Sequence, residues 1–491
     1  MSKRPFLTAI LIGTLAASSA SAQRGGGVGG VLGGVGGAVR GTIGGVGQTV
    51  GGVGGTVGGA IGGPLGGTLS GVSEGLGGTL GQLGSAVGNT PGRLSGVSGL
   101  SSTQLSQFVD ADPLQNPSNV YGYLTLSAAD LADLRSLRHQ ALIRANRKVL
   151  DEDEKGQPVR RGELIACDPD PASLAAAQRA GFRIAGYDPD NVLGVRVVRL
   201  ALPKGMNVRQ GLKALRRAAP SLQADYNHVY EPAGGALMPA TGATLALSAV
   251  RPGTRIAMID GGVAAHPSLA ATGIEQRGFV GEPQPTGHGT AIGSLLVGNQ
   301  GPFRGAARGA QLFVGDVYGG NPASGSASAI VQALAWAASK RPAVINISLI
   351  GPPNRTMERA INAVRARGIA VVAAVGNDGP AAPPQYPASY PGVIAVTGVD
   401  AADRALREAG RSAHLDFAGP GADLVAALPG RGYSPVRGTS FAAPFVAARL
   451  AATGSTAQLA AEAAPGKGKV GRGIVCRTCR ILPKMVGIRF K

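Results

Sequence analysis

The sequence predicts an α/β protein whose largest part is a mostly parallel sheet flanked by helices. A small ferredoxin-like α+β unit and a Gly-rich low-complexity region precede it. Three observations carry this reading. From about 251 to 455, near-continuous apolar runs alternate with helical stretches, the pattern of a parallel sheet covered on both faces. From 161 to 235 the elements read β-α-β-β-α-β, the split arrangement of the ferredoxin-like topology. Glycine, at 80 of 491 residues, is far above average usage, and most of the excess lies before residue 100.

The first residues set the compartment. Lys3 and Arg4 precede a short apolar core from Phe6 to Ala17, and Ala20-Ser21-Ala22 places small residues before Gln23. That order reads as a signal peptide over 1–22, too short to remain as a membrane anchor, so the chain is expected to be secreted or held in the cell envelope. Such a compartment permits disulfides. The three cysteines are Cys167, Cys476 and Cys479; the last two can close a small loop, which leaves Cys167 free. A zinc site is poorly supported, since two thiolates lack a nearby His or second Cys pair.

Residues 23–100 form the Gly-rich region. Seventeen apolar positions from Val28 to Val87 span 59 residues in 16 steps, about 3.7 residues each, near the helical period. Glycine disfavours an isolated helix by about 1 kcal/mol per position relative to alanine. Two readings remain open: a disordered tether, or a glycine-faced helix packed on a partner or in a membrane, with Pro64 mildly against the second. In the helical linker region 101–160, Ser127 is an expected N-cap and Leu131, Leu134, Leu137 and Leu142 an apolar stripe. The Arg and Lys residues from 135 to 148 read as a solvated face.

In the 161–235 unit the expected strands are 162–167, 182–184, 192–200 and 225–230, and the helices 170–179 and 208–218. A link, 236–250, joins it to the 251–475 domain. There the expected strands are 255–259, 345–350, 369–374 and 393–397, and the helices 289–297, 327–339 and 357–367. Ligands in such folds lie beyond the carboxyl ends of the strands, where Asp260 and Gly376-Asn377 fall. A basic tail, 476–491, closes the chain. The stretch from Gly466 to Lys491 holds eight Lys or Arg and no acid.

Three short motifs carry chemistry. Ile259-Asp260-Gly261-Gly262 puts a carboxylate at a strand end. Gly287-His288-Gly289-Thr290 puts an imidazole at a helix start. Gly438-Thr439-Ser440-Phe441-Ala442-Ala443-Pro444 puts a hydroxyl at a helix N-terminus, where backbone dipoles favour negative charge. A serine needs a base to take its proton, and the base needs an orienting carboxylate. Singly, each motif also reads as a turn, a loop or a cap. Together they stand in the order Asp, His, Ser, one of the known triad orders.

These motifs resemble those of the subtilisin-like (subtilase) serine peptidases, over roughly residues 250–475. The resemblance implies a secreted endopeptidase with Asp260, His288 and Ser440 as catalytic triad. Ala373-Ala374-Val375-Gly376-Asn377-Asp378-Gly379 resembles the family segment whose asparagine completes the oxyanion hole, giving that role to Asn377 with the Ser440 N–H. Ile345 to Leu349 resembles the strand lining the substrate cleft, which makes Ser348 and Leu349 substrate-binding. Gly471 to Val475 resembles a closing strand of the family. Two positions depart from the pattern: Gly261 stands where the family usually has Thr or Ser, and the usual Ala-Pro after the histidine helix is replaced near Gly305 to Gly309. The 161–235 unit resembles the prodomain with which such enzymes are made, implying a zymogen cut within the 231–250 link; a permanently attached accessory domain is the other reading.

No cofactor is expected. Calcium is frequent in the family, but no carboxylate loop here has suitable spacing, so metals stay open. The expected partners are protein or peptide substrates and the chain's own propeptide domain. The net charge of +19 leaves room for contact with an anionic surface or membrane through the Gly-rich region and basic tail. Nucleic acid is not expected, since no basic stripe is interleaved with aromatics. The competing class is a surface-associated binding or structural protein built on an inactive peptidase-like scaffold.

Overall fold

The computed structural model describes residues 127–187, 192–233, 250–270, 272–430 and 432–487. The signal peptide, the Gly-rich region and nearly all of the 236–250 link lie outside the described residues.

The described chain opens with α1 (Ala128–Ala145), begun by a capping box in which Ser127 and Asp130 exchange hydrogen bonds. Leu131, Leu134 and Leu137 are buried, as their spacing requires, and Leu142 is half-buried. The charged face departs from expectation at its start, where Arg135 is buried together with His139, whereas Arg147 and Lys148 are exposed as expected. Next come β1 (Leu150–Glu152), β2 (Pro158–Cys167), α2 (Pro171–Arg179), β3 (Arg183–Tyr187), β4 (Val197–Ala201), α3 (Val208–Ala218) and β5 (Ala224–His228). All pairings in this sheet are antiparallel; β2 lies between β5 and β4, and β3 pairs with β4. That is the strand order of the ferredoxin-like arrangement. The expected strand 192–200 is shorter, beginning only at Val197. Gly194, at φ +66°, turns the chain there, and Leu193 and Val195 become plugs in a neighbouring core.

Alternation in this sheet explains how it docks. Leu164, Ala166, Val198 and Leu200 face α2 and α3, whereas Ile165, Cys167 and Val197 join the core of the larger domain. The chain then crosses as β6 (Glu231–Pro232) into that domain.

The larger domain holds β7 (Arg255–Asp260), β8 (Ile274–Gly278), α4 (Gly287–Val297), β9 (Asn299–Gln300), β10 (Phe303–Arg304), β11 (Gln311–Asp316), α5 (Ala327–Ser339), β12 (Val344–Ile347) and β13 (Leu349–Ile350). After these follow α6 (Arg355–Ala366), β14 (Ala370–Ala374), β15 (Ile394–Val399), β16 (Phe417–Pro420), β17 (Leu424–Leu428), β18 (Gly432–Val436), α7 (Thr439–Thr453) and α8 (Thr456–Glu462). Seven strands form one sheet in the order β16-β15-β14-β12-β7-β11-β8, every neighbouring pair parallel.

Side chains again alternate. Ile256, Met258, Val372 and Ala374 pack toward α4 and α7, while Ala257, Ile259, Val371 and Ala373 pack toward α5 and α6. The topology reverses at β7, whose neighbours are β12 and β11, and Asp260 ends that strand.

The C-terminal stretch is not a free tail over its described part. Ile481 and Leu482 are buried, and the Arg480 guanidinium donates to the carbonyls of Ala422, Val399 and Asp400; burial pushes its pKa below the usual arginine value. Cys476 and Cys479 form a disulfide, and Cys167 is free and buried. The expected closing strand at 471–475 is reduced to bridges from Ile474 to Ala418 and Ala464.

Candidate active site

Asp260 and His288 meet at the carboxyl end of the sheet, both fully buried. The His288 Nδ1 lies 2.9 and 3.0 Å from the two Asp260 carboxylate oxygens. An anionic partner there holds the proton on Nδ1 and leaves Nε2 as an acceptor. That Nε2 is buried and has no hydrogen-bond partner. A second Asp260 contact comes from its own chain, the Gly261 N–H donating to Oδ1 at 2.7 Å.

Gly261 has a steric reason for being glycine. A Cβ there would fall inside the side chain of Thr286. Thr286 is the N-cap of α4, accepting from the Gly289 N–H at 3.0 Å, so it fixes the helix start that carries His288. Thr286 thus occupies the space that a side chain at 261 would need.

Ser440 is the second residue of α7. Gly438 precedes it at φ +136°, a conformation that L side chains rarely adopt. No side chain of the N-cap satisfies the first amides of this helix. The Thr439 N–H instead donates to Asn377 Oδ1 at 3.0 Å, which aims the Asn377 amide nitrogen outward. Pro444 removes the amide that would bond the Ser440 carbonyl, and the Ser348 hydroxyl takes that carbonyl at 3.1 Å. The Ser440 hydroxyl donates to the Ser348 carbonyl at 3.2 Å, and the imidazole Nε2 is left without a partner.

An extended segment of the chain lies against Ser348, Leu349, Asn377 and Ser440. Tyr230 is fully buried; its hydroxyl donates to the Pro352 carbonyl at 2.7 Å, and its ring lies where a side chain at Gly351 would otherwise be. Next, β6 pairs antiparallel with β13, Pro232 opposite Leu349 and Glu231 opposite Ile350. The Ala233 N–H then donates to the Ser348 carbonyl at 2.9 Å. The Ala233 carbonyl accepts from the Asn377 side-chain amide and from the Ser440 N–H at 3.4 Å. Thus Asn377, Ser440, Ser348 and Leu349, all named from sequence, meet one extended segment, while Asp260 and His288 form a buried pair whose imidazole lies 5.7 Å from the ring of Phe441, the residue after Ser440.

What the sequence concealed is the clamp over that segment. Glu231 lies 2.7 Å from the His139 Nε2 and 3.5 Å from Arg135, and Asp378, the residue after Asn377, pairs with Arg135 at 3.2 Å and Arg138 at 2.7 Å. Burial alone would raise the Glu231 carboxyl. The charges of His139, Arg138 and Arg135 overcome that effect and hold it well below the usual carboxylate range. On the far side of Asp260, Asp316 accepts from the N–H groups of Gln284, Tyr318 and Gly319, and burial raises its carboxyl pKa.

A buried carboxylate and imidazole beside a helix-start serine, at the carboxyl edge of a parallel sheet, define a protein of the serine-hydrolase class. Residues 251–463 match the model of the Subtilase family. Subtilisin Savinase of Lederbergia lenta is 37% identical over 206 residues, 40% of this chain and 75% of that protein. An alkaline protease of Alkalihalobacillus alcalophilus is also 37% identical over 206 residues, but the match spans only 53% of its length. Among solved structures, that of fervidolysin from Fervidobacterium pennivorans, a keratinolytic enzyme related to subtilisin, aligns with a TM-score of 0.58 at 18% identity, covering 68% of this chain and 63% of that one. The chain belongs to the subtilase family and is a serine endopeptidase.

Proposed function

We propose that the chain is an exported zymogen that hydrolyses peptide bonds through an acyl-enzyme on Ser440. His288 takes the Ser440 proton through its free Nε2 as the hydroxyl attacks the substrate carbonyl. Asp260 holds the tautomer and stabilises the imidazolium, which then protonates the leaving amine. The Asn377 amide and the Ser440 N–H stabilise the tetrahedral oxyanion. Substrate adds an antiparallel strand to β13, with the Ser348 carbonyl receiving the amide of the residue that owns the scissile bond.

One observation supports this above the others: the Ala233 carbonyl rests on both oxyanion donors while the two flanking residues on its amino side pair with β13. The chain therefore presents Ala233-Gly234 as its own scissile bond, within the 231–250 link. The 161–233 unit and α1 then act as an inhibitory prosegment, and the segment 1–22 directs export. Incubation with a fluorophosphonate probe and an unstructured protein substrate tests the mechanism: both labelling and hydrolysis should vanish in Ser440→Ala. Hydrolysis that persists in that variant would overturn it.

A further inference from the structure

The two oxyanion donors sit on different segments, Asn377 after β14 and Ser440 at the start of α7, so something must hold them in register. Arg437 and Glu408 form a bidentate ion pair, Nε to Oε1 at 2.7 Å and Nη2 to Oε2 at 3.0 Å, with both side chains almost wholly buried. Arg437 stands directly before the Gly438 turn into the nucleophile. Glu408 lies in a loop bonded at two points to the segment bearing Asn377. The Gly379 N–H donates to the Glu408 carbonyl at 2.9 Å, and the Gly410 N–H donates to the Gly376 carbonyl at 2.7 Å. A direct link closes the frame: the Thr439 hydroxyl donates to the Gly376 carbonyl at 3.1 Å, and the Thr439 N–H reaches Asn377.

We infer that Arg437 and Glu408 are positioning residues for the oxyanion hole, fixing the distance between the Asn377 amide and the Ser440 N–H. This rests on the proposed roles of Asn377 and Ser440. The planar fork of a guanidinium against a carboxylate fixes both separation and rotation, which a hydrophobic contact of the same volume does not. A buried pair is not needed for stability as such, because well-packed apolar residues often replace one without loss. Its value here is geometric, since a donor displaced by a fraction of an ångström no longer meets the developing charge.

That distinction dictates the test. Single removal of Arg437 strands a buried carboxylate and risks misfolding, so the informative variant is the neutral pair Arg437→Met/Glu408→Leu. It is compared with Asn377→Ala and with the triple variant, each counted as active enzyme by fluorophosphonate titration. The neutral pair should lower kcat about tenfold or more with KM little changed, the signature of an interaction made in the transition state. It should weaken binding of a peptide boronic acid by a similar factor. Asn377→Ala should lower kcat about 100- to 1000-fold, a figure that comes from subtilisin itself. In the triple variant the losses should not multiply, because the neutral pair acts through a donor already absent. Unchanged kcat in the neutral pair, or losses that multiply fully, would overturn the inference while leaving the peptidase mechanism intact. Full activity in Asn377→Ala would overturn both.

Discussion

Asp260 presents both carboxylate oxygens to the Nδ1 of His288, in a site from which solvent is excluded. Asp260→Asn keeps the volume but removes the anion that selects the tautomer. Its kcat should fall about 10⁴-fold, the loss seen when a triad carboxylate becomes an amide. The measurement is kcat on a peptide amide alongside the thermal midpoint, which separates chemistry from folding.

Gly261 and Thr286 form a matched pair, so the side chain usual in the family should be harmful here. Gly261→Thr overpacks the site and should cost about 1–3 kcal/mol in stability. Adding Thr286→Ala should recover part of that, short of the loss of the α4 cap, which is worth about 1 kcal/mol. Thermal denaturation of the single and double variants reads this directly.

The clamp of α1 predicts slow activation. Arg135→Ala/Arg138→Ala leaves Asp378 without the two guanidinium groups that now pair with it, and breaking such buried pairs typically costs about 3–5 kcal/mol. Solvent screening at the partly exposed Arg138 reduces this. If the 161–233 unit and α1 form the proposed prosegment, that segment, once cut, should leave at least about tenfold faster, a factor that needs only about 1.4 kcal/mol. The readout is a shorter lag before hydrolysis begins.

Acid should loosen the same clamp only late. The Glu231 carboxyl is depressed in the docked state, as is that of Asp153, where burial is outweighed by the His228 hydrogen bond and by backbone donors. A depressed carboxyl contributes stability above its free pKa of about 4 and loses it as pH falls through the depressed value. Docking of the prosegment on a Ser440→Ala enzyme should therefore persist at pH 5 and weaken below about pH 4. Release at pH 5 would contradict this.

The residues proposed as catalytic are legible in the sequence because each sits at an element end beside or near glycines that leave room for it. The core strands β7, β12, β14 and β15 were legible because they are buried on both faces. By contrast β8, an edge strand of half-exposed and exposed residues, shows no such run. The clamp was hidden for a different reason. Cations at 135 and 138, with a histidine at 139, look like any solvated helix face, and their partners lie 92 and 240 residues away. Only the tertiary fold brings Glu231 and Asp378 to them. Likewise Glu231-Pro232-Ala233 carries no periodicity, and its meaning comes from the β13 edge it completes.

Ser440 should cut the bond whose carbonyl its own N–H already holds. Sequencing the amino terminus of the processed full-length protein, beside its Ser440→Ala counterpart, tests this most directly. The expected result is a new terminus at Gly234 in the wild-type chain and an uncut junction in the variant. Identical processing of both, or a wild-type junction left intact in an enzyme that hydrolyses other substrates, would contradict it.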